Sequence, residues 1–191
     1  MHETSAPKPR RWARPLLAVI PIVVLALVVG GAFFKRTQRG WRGAYYPTQN
    51  LTGNPTVRRD PSLMFRWYDD APMPGFPDSK FSVRWETCLT VGDEADLEAY
   101  VGSDDGIRMR IDGETVSDHY YDRAFRADHV PLDLTPGRHH VVVEYYDSRS
   151  QAHALVRFQE AGIISKPLPL DRYRLPKENP GEADPCDSGF W

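Results

Sequence analysis

From Pro15 to Phe34 the chain runs Pro-Leu-Leu-Ala-Val-Ile-Pro-Ile-Val-Val-Leu-Ala-Leu-Val-Val-Gly-Gly-Ala-Phe-Phe without one charged side chain. Wound as a helix rising about 1.5 Å per residue, this run reaches about 30 Å, the depth of a bilayer's hydrocarbon core. Pro21 and the Gly30-Gly31 pair would weaken a helix in water but are common in membrane spans. Residues 15–34 are therefore expected to form one N-terminal transmembrane helix, behind a basic tail over 1–14. Lys8, Arg10, Arg11 and Arg14 on one flank are matched by Lys35, Arg36, Arg39 and Arg42 on the other, so the positive-inside rule does not orient the span. A short basic tail ahead of a long acidic body fits a signal anchor, with residues 1–14 cytoplasmic and everything after 34 extracytoplasmic, in a periplasm or outside the cell. A cleaved signal peptide is the alternative, against which stand the length of the apolar run and the poor cleavage site in Gly-Ala-Phe-Phe-Lys.

Residues 1–39 hold seven of the chain's 24 Lys and Arg and one of its 26 Asp and Glu, leaving 17 basic and 25 acidic residues beyond them. An acidic body opposes binding to a phosphate backbone, so nucleic acid is not an expected partner, whereas carboxylates suit a hard cation. Of the two cysteines, Cys88 and Cys186, either of two readings holds. They form a disulfide that ties the tail to the domain, as an exported protein allows, or Cys88 is a buried free thiol and Cys186 sits unpaired in the tail.

After the span, apolar residues recur at every second position, as in half-buried strands. Phe81, Val83 and Trp85 share a face, as do Ala95, Leu97, Ala99 and Val101; so do Ile107, Met109 and Ile111, and Val141, Val143 and Tyr145. Turn residues at Pro72–Pro77, Asp104-Asp105-Gly106, Asp112-Gly113 and Pro136-Gly137 separate these runs. The pattern is that of an all-β, antiparallel β-sandwich over residues 35–159. Beyond Gln159, Pro167, Pro169, Pro176, Pro180 and Pro185 break it, and residues 160–191 read as a Pro-rich arm that either docks on the sandwich or a partner through Leu168, Leu170, Tyr173, Leu175, Phe190 and Trp191 or hangs free.

Ser103-Asp104-Asp105-Gly106 sets two adjacent carboxylates on a tight turn. On a regular strand their side chains would point to opposite faces, so only an unusual backbone, a bulge or a cis peptide, aims both at one point. A bound hard cation taking six to eight oxygens would neutralise their repulsion. The oxygen-rich loop Asp147-Ser148-Arg149-Ser150-Gln151 is the candidate second half of such a shell, with Asp147 as third carboxylate. The plainer alternative is that Asp104 and Asp105 cap a turn and Asp147 opens a hairpin loop.

Residues 40–159 resemble the domain family named for the fourteen-kilodalton fragment of anthrax protective antigen, found also in yeast flocculins, fungal adhesins and bacterial glycosidases. The matching pieces are Gly40-Trp41-Arg42-Gly43-Ala44-Tyr45-Tyr46, the strand at Phe81–Trp85, Gly102 to Gly113, Leu134-Thr135-Pro136-Gly137-Arg138-His139, and Val143-Glu144-Tyr145-Tyr146. The resemblance implies that Asp104 and Asp105, joined by a cis peptide, hold Ca2+, and that the ion takes vicinal hydroxyls of a glycan. It places Asp147 where lectin members carry asparagine, with loop carbonyls from Arg149 to Gln151 as further ligands. Aspartate lacks the amide donors of asparagine, and Gln151 replaces a tryptophan of some fungal members, so the stacking platform there is gone. Tyr120, Tyr121 and Phe125 are candidates to line a sugar-binding surface, with hydrophobic packing as their other use.

Three functions follow as expectations. The first is a membrane-anchored, calcium-dependent carbohydrate-binding module of the cell envelope. The second is a non-catalytic accessory or structural subunit with a membrane-protein partner. Hydrolysis fits least, because adjacent carboxylates in a turn seldom flank a glycosidic bond from opposite sides. His119, His139, His140 and His153 lack zinc-site spacing, and Asn50-Leu51-Thr52 matches a glycosylation sequon.

Overall fold

A computed structural model describes residues 38–93, 96–149, 151–162, 166–178 and 184–187. The expected transmembrane helix at 15–34 lies outside them, as does Ala95, and no helix among the described residues is long and apolar enough to cross a membrane. The described chain forms two antiparallel sheets. The larger runs β2 (Thr56–Asp60), β1 (Trp41–Tyr46), β4 (Ser82–Val91), β9 (Gly137–Tyr146), β6 (Gly106–Ile111), β7 (Glu114–His119), with β12 (Tyr173–Arg174) also on β4. The smaller runs β11 (Lys166–Pro167), β10 (Ala152–Glu160), β5 (Leu97–Asp104), β8 (Arg126–Pro131), with β3 (Leu63–Tyr68) also on β10.

The alternation seen in the sequence is the packing rule of these sheets. Val83, Trp85 and Leu89 of β4, Val141, Val143 and Tyr145 of β9, and Ile107, Met109 and Ile111 of β6 meet Ala99, Val101, Ala154, Val156 and Phe158 of the facing sheet in one core. Burying each large apolar side chain contributes about 1.5–3 kcal/mol. Aromatic rings fill the wider gaps: Phe65 stacks on Trp67 at 4.8 Å and on Trp85 at 5.6 Å, and Tyr45 meets Trp85 edge-on at 5.9 Å.

A carboxylate lies against this core. Asp60 is 3% exposed; its Oδ2 accepts from Tyr45 Oη at 2.7 Å and Trp85 Nε1 at 2.8 Å, and its Oδ1 from Arg58 Nε at 2.8 Å. A Cβ on Gly43 would come within 2.6 Å of Asp60 Oδ2 and 2.9 Å of the Trp85 ring. Gly40, at φ 110°, passes as close to the Asp60 carbonyl. The glycines of the Gly-x-x-Gly-x-Tyr-Tyr opening thus make room for a buried carboxylate and its donors.

The C-terminal arm docks. Strand β1 starts level with Thr87, leaving Cys88 and Leu89 of β4 without a neighbour on that side, and β12 fills the gap, Tyr173 opposite Leu89 and Arg174 opposite Cys88. Thr87 Oγ1 lies 2.9 Å from the Gly40 carbonyl and 3.0 Å from that of Arg174, and Gly40 N–H donates to Tyr173. Tyr173 and Leu168 are buried in the core. Of the two cysteine readings the structure has the disulfide, Cys88–Cys186, closing a separation of 98 residues. Sequence periodicity could not show this docking, because two-residue strands are too short to carry one.

His139 is buried at a turn, Nδ1 2.7 Å from Asp112 Oδ2 and Nε2 2.8 Å from the Thr135 carbonyl. Both partners are acceptors, an arrangement that favours the imidazolium form. Burial opposes that charge, but the bonds to Asp112 and Thr135 outweigh it and raise the pKa. Two outcomes are expected. Gly43→Ala lowers stability in urea melts by about 3 kcal/mol or more, since it both overpacks and disturbs a buried charge. His139→Gln costs most below pH 6.5, the difference from wild type shrinking as pH rises through the elevated imidazole pKa.

Candidate functional site

Asp104 ends β5, Asp105 follows it alone, and β6 begins at Gly106. The Asp104–Asp105 peptide is cis, one of the two backbone forms the sequence called for. Both carboxylates line an open cavity of about 410 Å3 together with Asp122, Arg123, Ala124, Arg149 and Gln151. Backbone donors orient the pair: Phe125 N–H binds Asp104 Oδ2 at 2.9 Å and Ser148 N–H binds Asp105 Oδ2 at 2.7 Å. The Oδ1 of each is left without a partner among the described residues. The turn itself is held from inside, Tyr145 Oη donating to the Asp104 carbonyl and Ser103 Oγ to that of Asp105, both at 2.6 Å.

Gly106 completes the geometry. A side chain there would overlap the Tyr146 ring, which lies across the turn and donates its hydroxyl to Asp122 Oδ1 at 2.7 Å. Ser148 Oγ donates to Asp122 Oδ2 at 3.1 Å. Asp122 is thereby a third carboxylate at the cavity, one the sequence reading missed. Arg123 beside it is tied to Ser103 Oγ at 3.2 Å and to Asp128 at 3.4 Å. Both sit in a loop without periodicity, and neither composition nor spacing marks them.

Asp147 stands behind the pair rather than in the cavity wall. It is fully buried; Oδ2 accepts from Lys80 N–H at 3.0 Å, while Oδ1 is buried with no partner among the described residues. Burial, with the charges of Asp105 and Asp104 added, pushes its carboxyl up to about 6 against the pull of the Lys80 bond. Burial and the neighbouring Asp105 likewise raise Asp104. Among the described residues no three His, Cys, Asp or Glu side chains form a ready metal cluster. The arrangement is two converging carboxylates with free oxygens and a third, orphaned carboxylate oxygen beneath them, a donor set of hard oxygens that fits Ca2+ if carbonyl oxygens complete it.

Arg149 and Gln151, expected at the site, line it. Tyr120 and Tyr121 do not. Tyr120 packs edge-on against Tyr146 at 4.9 Å with the Arg108 guanidinium 4.8 Å above its ring, and the ring of exposed Tyr121 lies 6.2 Å from that of His119. Phe125 sits at the rim, stacked on His153 at 4.0 Å.

Comparison with known proteins agrees with the fold. Residues 37–166 match the PA14 domain. The anti-sigma-I factor RsgI3 of Acetivibrio thermocellus is 26% identical over 168 residues, covering 81% of this chain and 26% of that protein, so the chain spans about a quarter of that relative's length. Among solved structures, an anti-sigma factor domain-containing protein from Clostridium clariflavum aligns with a TM-score of 0.62 at 21% identity, over 73% of this chain and 48% of that one. The PA14 sugar-binding domain from an RTX adhesin aligns with a TM-score of 0.51 at 16% identity, over 72% and 98%.

Because the Asp147 carboxyl holds its proton more tightly folded than unfolded, the cation-free protein loses stability as pH rises from about 4 to about 6. Asp147→Asn is expected to remove most of that loss, the share due to the raised Asp104 carboxyl remaining, and in chelator at pH 7 to melt as a protein more stable by about 3 kcal/mol.

Proposed function

The chain belongs to the PA14 domain family, and from that premise we propose that it is a membrane-anchored, calcium-assisted carbohydrate-binding module of the cell envelope, with no catalysis of its own. The observation that carries this reading is the cavity at Asp104 and Asp105, with one unpartnered oxygen on each carboxylate. In this reading those two oxygens and carbonyls of the 149–151 loop hold Ca2+, and the buried charge of Asp147 adds attraction from beneath. The ion supplies open coordination positions for two vicinal sugar hydroxyls. Arg149 and Gln151 at the mouth offer donors to the same sugar. A shallow site of this kind binds one sugar weakly, and anchoring many copies on one membrane through residues 15–34 raises avidity. The disulfide favours an oxidising, extracytoplasmic compartment for the domain.

Identity with an anti-sigma-I factor, of which the matched part is a fraction, favours a second reading: an accessory subunit that presents the sandwich for a partner in the same membrane. Chemical crosslinking in native membranes separates the two, since a module acting alone yields no specific heterologous adduct. For the first reading, calorimetry is expected to show one Ca2+ per chain. Calcium at a hundred times its Kd should raise stability by about 2.7 kcal/mol. Asp104→Ala and Asp105→Ala should abolish both effects together with binding on a glycan array, and glycan binding that survives in chelator would refute the calcium mechanism.

A further inference from the structure

The strand that delivers Asp104 to the cavity carries more than that residue on its outer side. Ala99 and Val101 of β5 point into the core, so Tyr100 and Gly102 lie on the same outward face as Asp104. Beside Gly102 stand Leu155 of β10 and Ala127 of β8, and next along the row is Met64 of β3, 63% exposed. Phe125, 42% exposed, lies over Gly102, where an added Cβ would meet its ring at 3.3 Å. A side chain on Gly102 would press on that ring and, at 3.0 Å, on the Ala127 methyl. Its stacking on His153 fixes its orientation. Two residues further down β5, about 6.7 Å away, the Tyr100 ring packs 4.9 Å from His129, with the Arg157 guanidinium 5.6 Å from its centre.

Two aromatic rings are thus set on the same face of the sheet as the cavity's Asp104, with hydrogen-bonding side chains beside them. A pyranose chain presents the matching chemistry: apolar C–H faces that stack on rings and hydroxyls that bond to imidazole and guanidinium. The platform is already ordered, so little freedom is lost on binding. From Asp104 to Glu98 the face extends about 20 Å, six strand residues, well beyond one sugar ring.

We propose that this outer face of the five-stranded sheet is an extended glycan subsite. The domain takes a polysaccharide along the strand direction of β5, one unit at Asp104–Asp105 and the following units on Phe125 and Tyr100. This rests on the glycan reading above and adds to it the ligand class, a chain rather than a terminal sugar.

The test uses the full chain in detergent with saturating Ca2+ and the one- to six-unit series of β-1,4-glucan, xylan, mannan and polygalacturonate. For one series the affinity is expected to rise at least tenfold between one unit and four. Tyr100→Ala and Phe125→Ala should each remove most of that gain, Tyr100→Ala leaving single-sugar affinity unchanged, with melting curves verifying that both variants fold. Calcium-dependent binding that ignores chain length overturns the subsite and leaves the glycan reading standing. Failure of every series to bind overturns both. A dimer in sedimentation that Tyr100→Ala dissociates assigns the face to a second copy and also overturns the subsite.

Discussion

The buried carboxylate of Asp60 is the constraint around which the larger sheet is arranged. An ion out of water costs several kcal/mol unless its partners are in place, so Tyr45, Trp85 and Arg58 must all arrive together. They come from β1, β4 and β2, and satisfying one side chain sets the register among three strands. Trp85 lies opposite Val143, and Val143 opposite Met109. The alignment thereby passes through β9 to β6 and decides where the Asp104–Asp105 turn emerges. A polar group in the core does here what apolar packing, indifferent to small slips, would do less sharply.

Much of this was legible from the residues. Strands that bury one face carry the two-residue period, and β4, β6 and β9 were visible through it. Strands β2 and β3 were not, because Thr56–Asp60 is mostly exposed and Leu63–Tyr68 carries Met64 and Tyr68 on the outside. The aspartate turn was readable since its two carboxylates are neighbours in sequence and their geometry is awkward in an ordinary strand. Asp122 was invisible for the opposite reason: its place depends on a tyrosine hydroxyl 24 residues away in sequence. Asp147 was assigned to the correct loop, but its orientation, toward the Lys80 amide, is a matter of tertiary packing alone.

The alternate, outward residues of the larger sheet follow an electrostatic rule of their own. Glu144, 5% exposed, takes Arg84, Arg108 and Arg110, while Glu86 takes Arg42 and Arg84. The His140 ring, its Nε2 3.8 Å from Glu86 Oε2, together with the bond to Arg84 and the charges of Arg42 and Arg84, holds the Glu86 carboxyl down at about 2. Four guanidiniums against two carboxylates make this face cationic within an acidic domain. Arginines that the sequence showed only as polar partners of an alternating strand are the members of one shared network.

Gly40 enters the sheet at one end of β1, and the ring of pairings from Tyr46 through Ser82 and Tyr146 to Gly106 places the aspartate turn at the other. A pull on the chain at Gly40 against a ligand gripped at Asp104 therefore runs parallel to β1 and β4. Their hydrogen bonds lie across that line, so they resist in shear, sharing the load instead of parting one after another. Bonded to the same stretch of β4, β12 and the Cys88–Cys186 bridge stand at the point where such a load enters. The domain is built like a lap joint, strongest along the direction of β1 and β4.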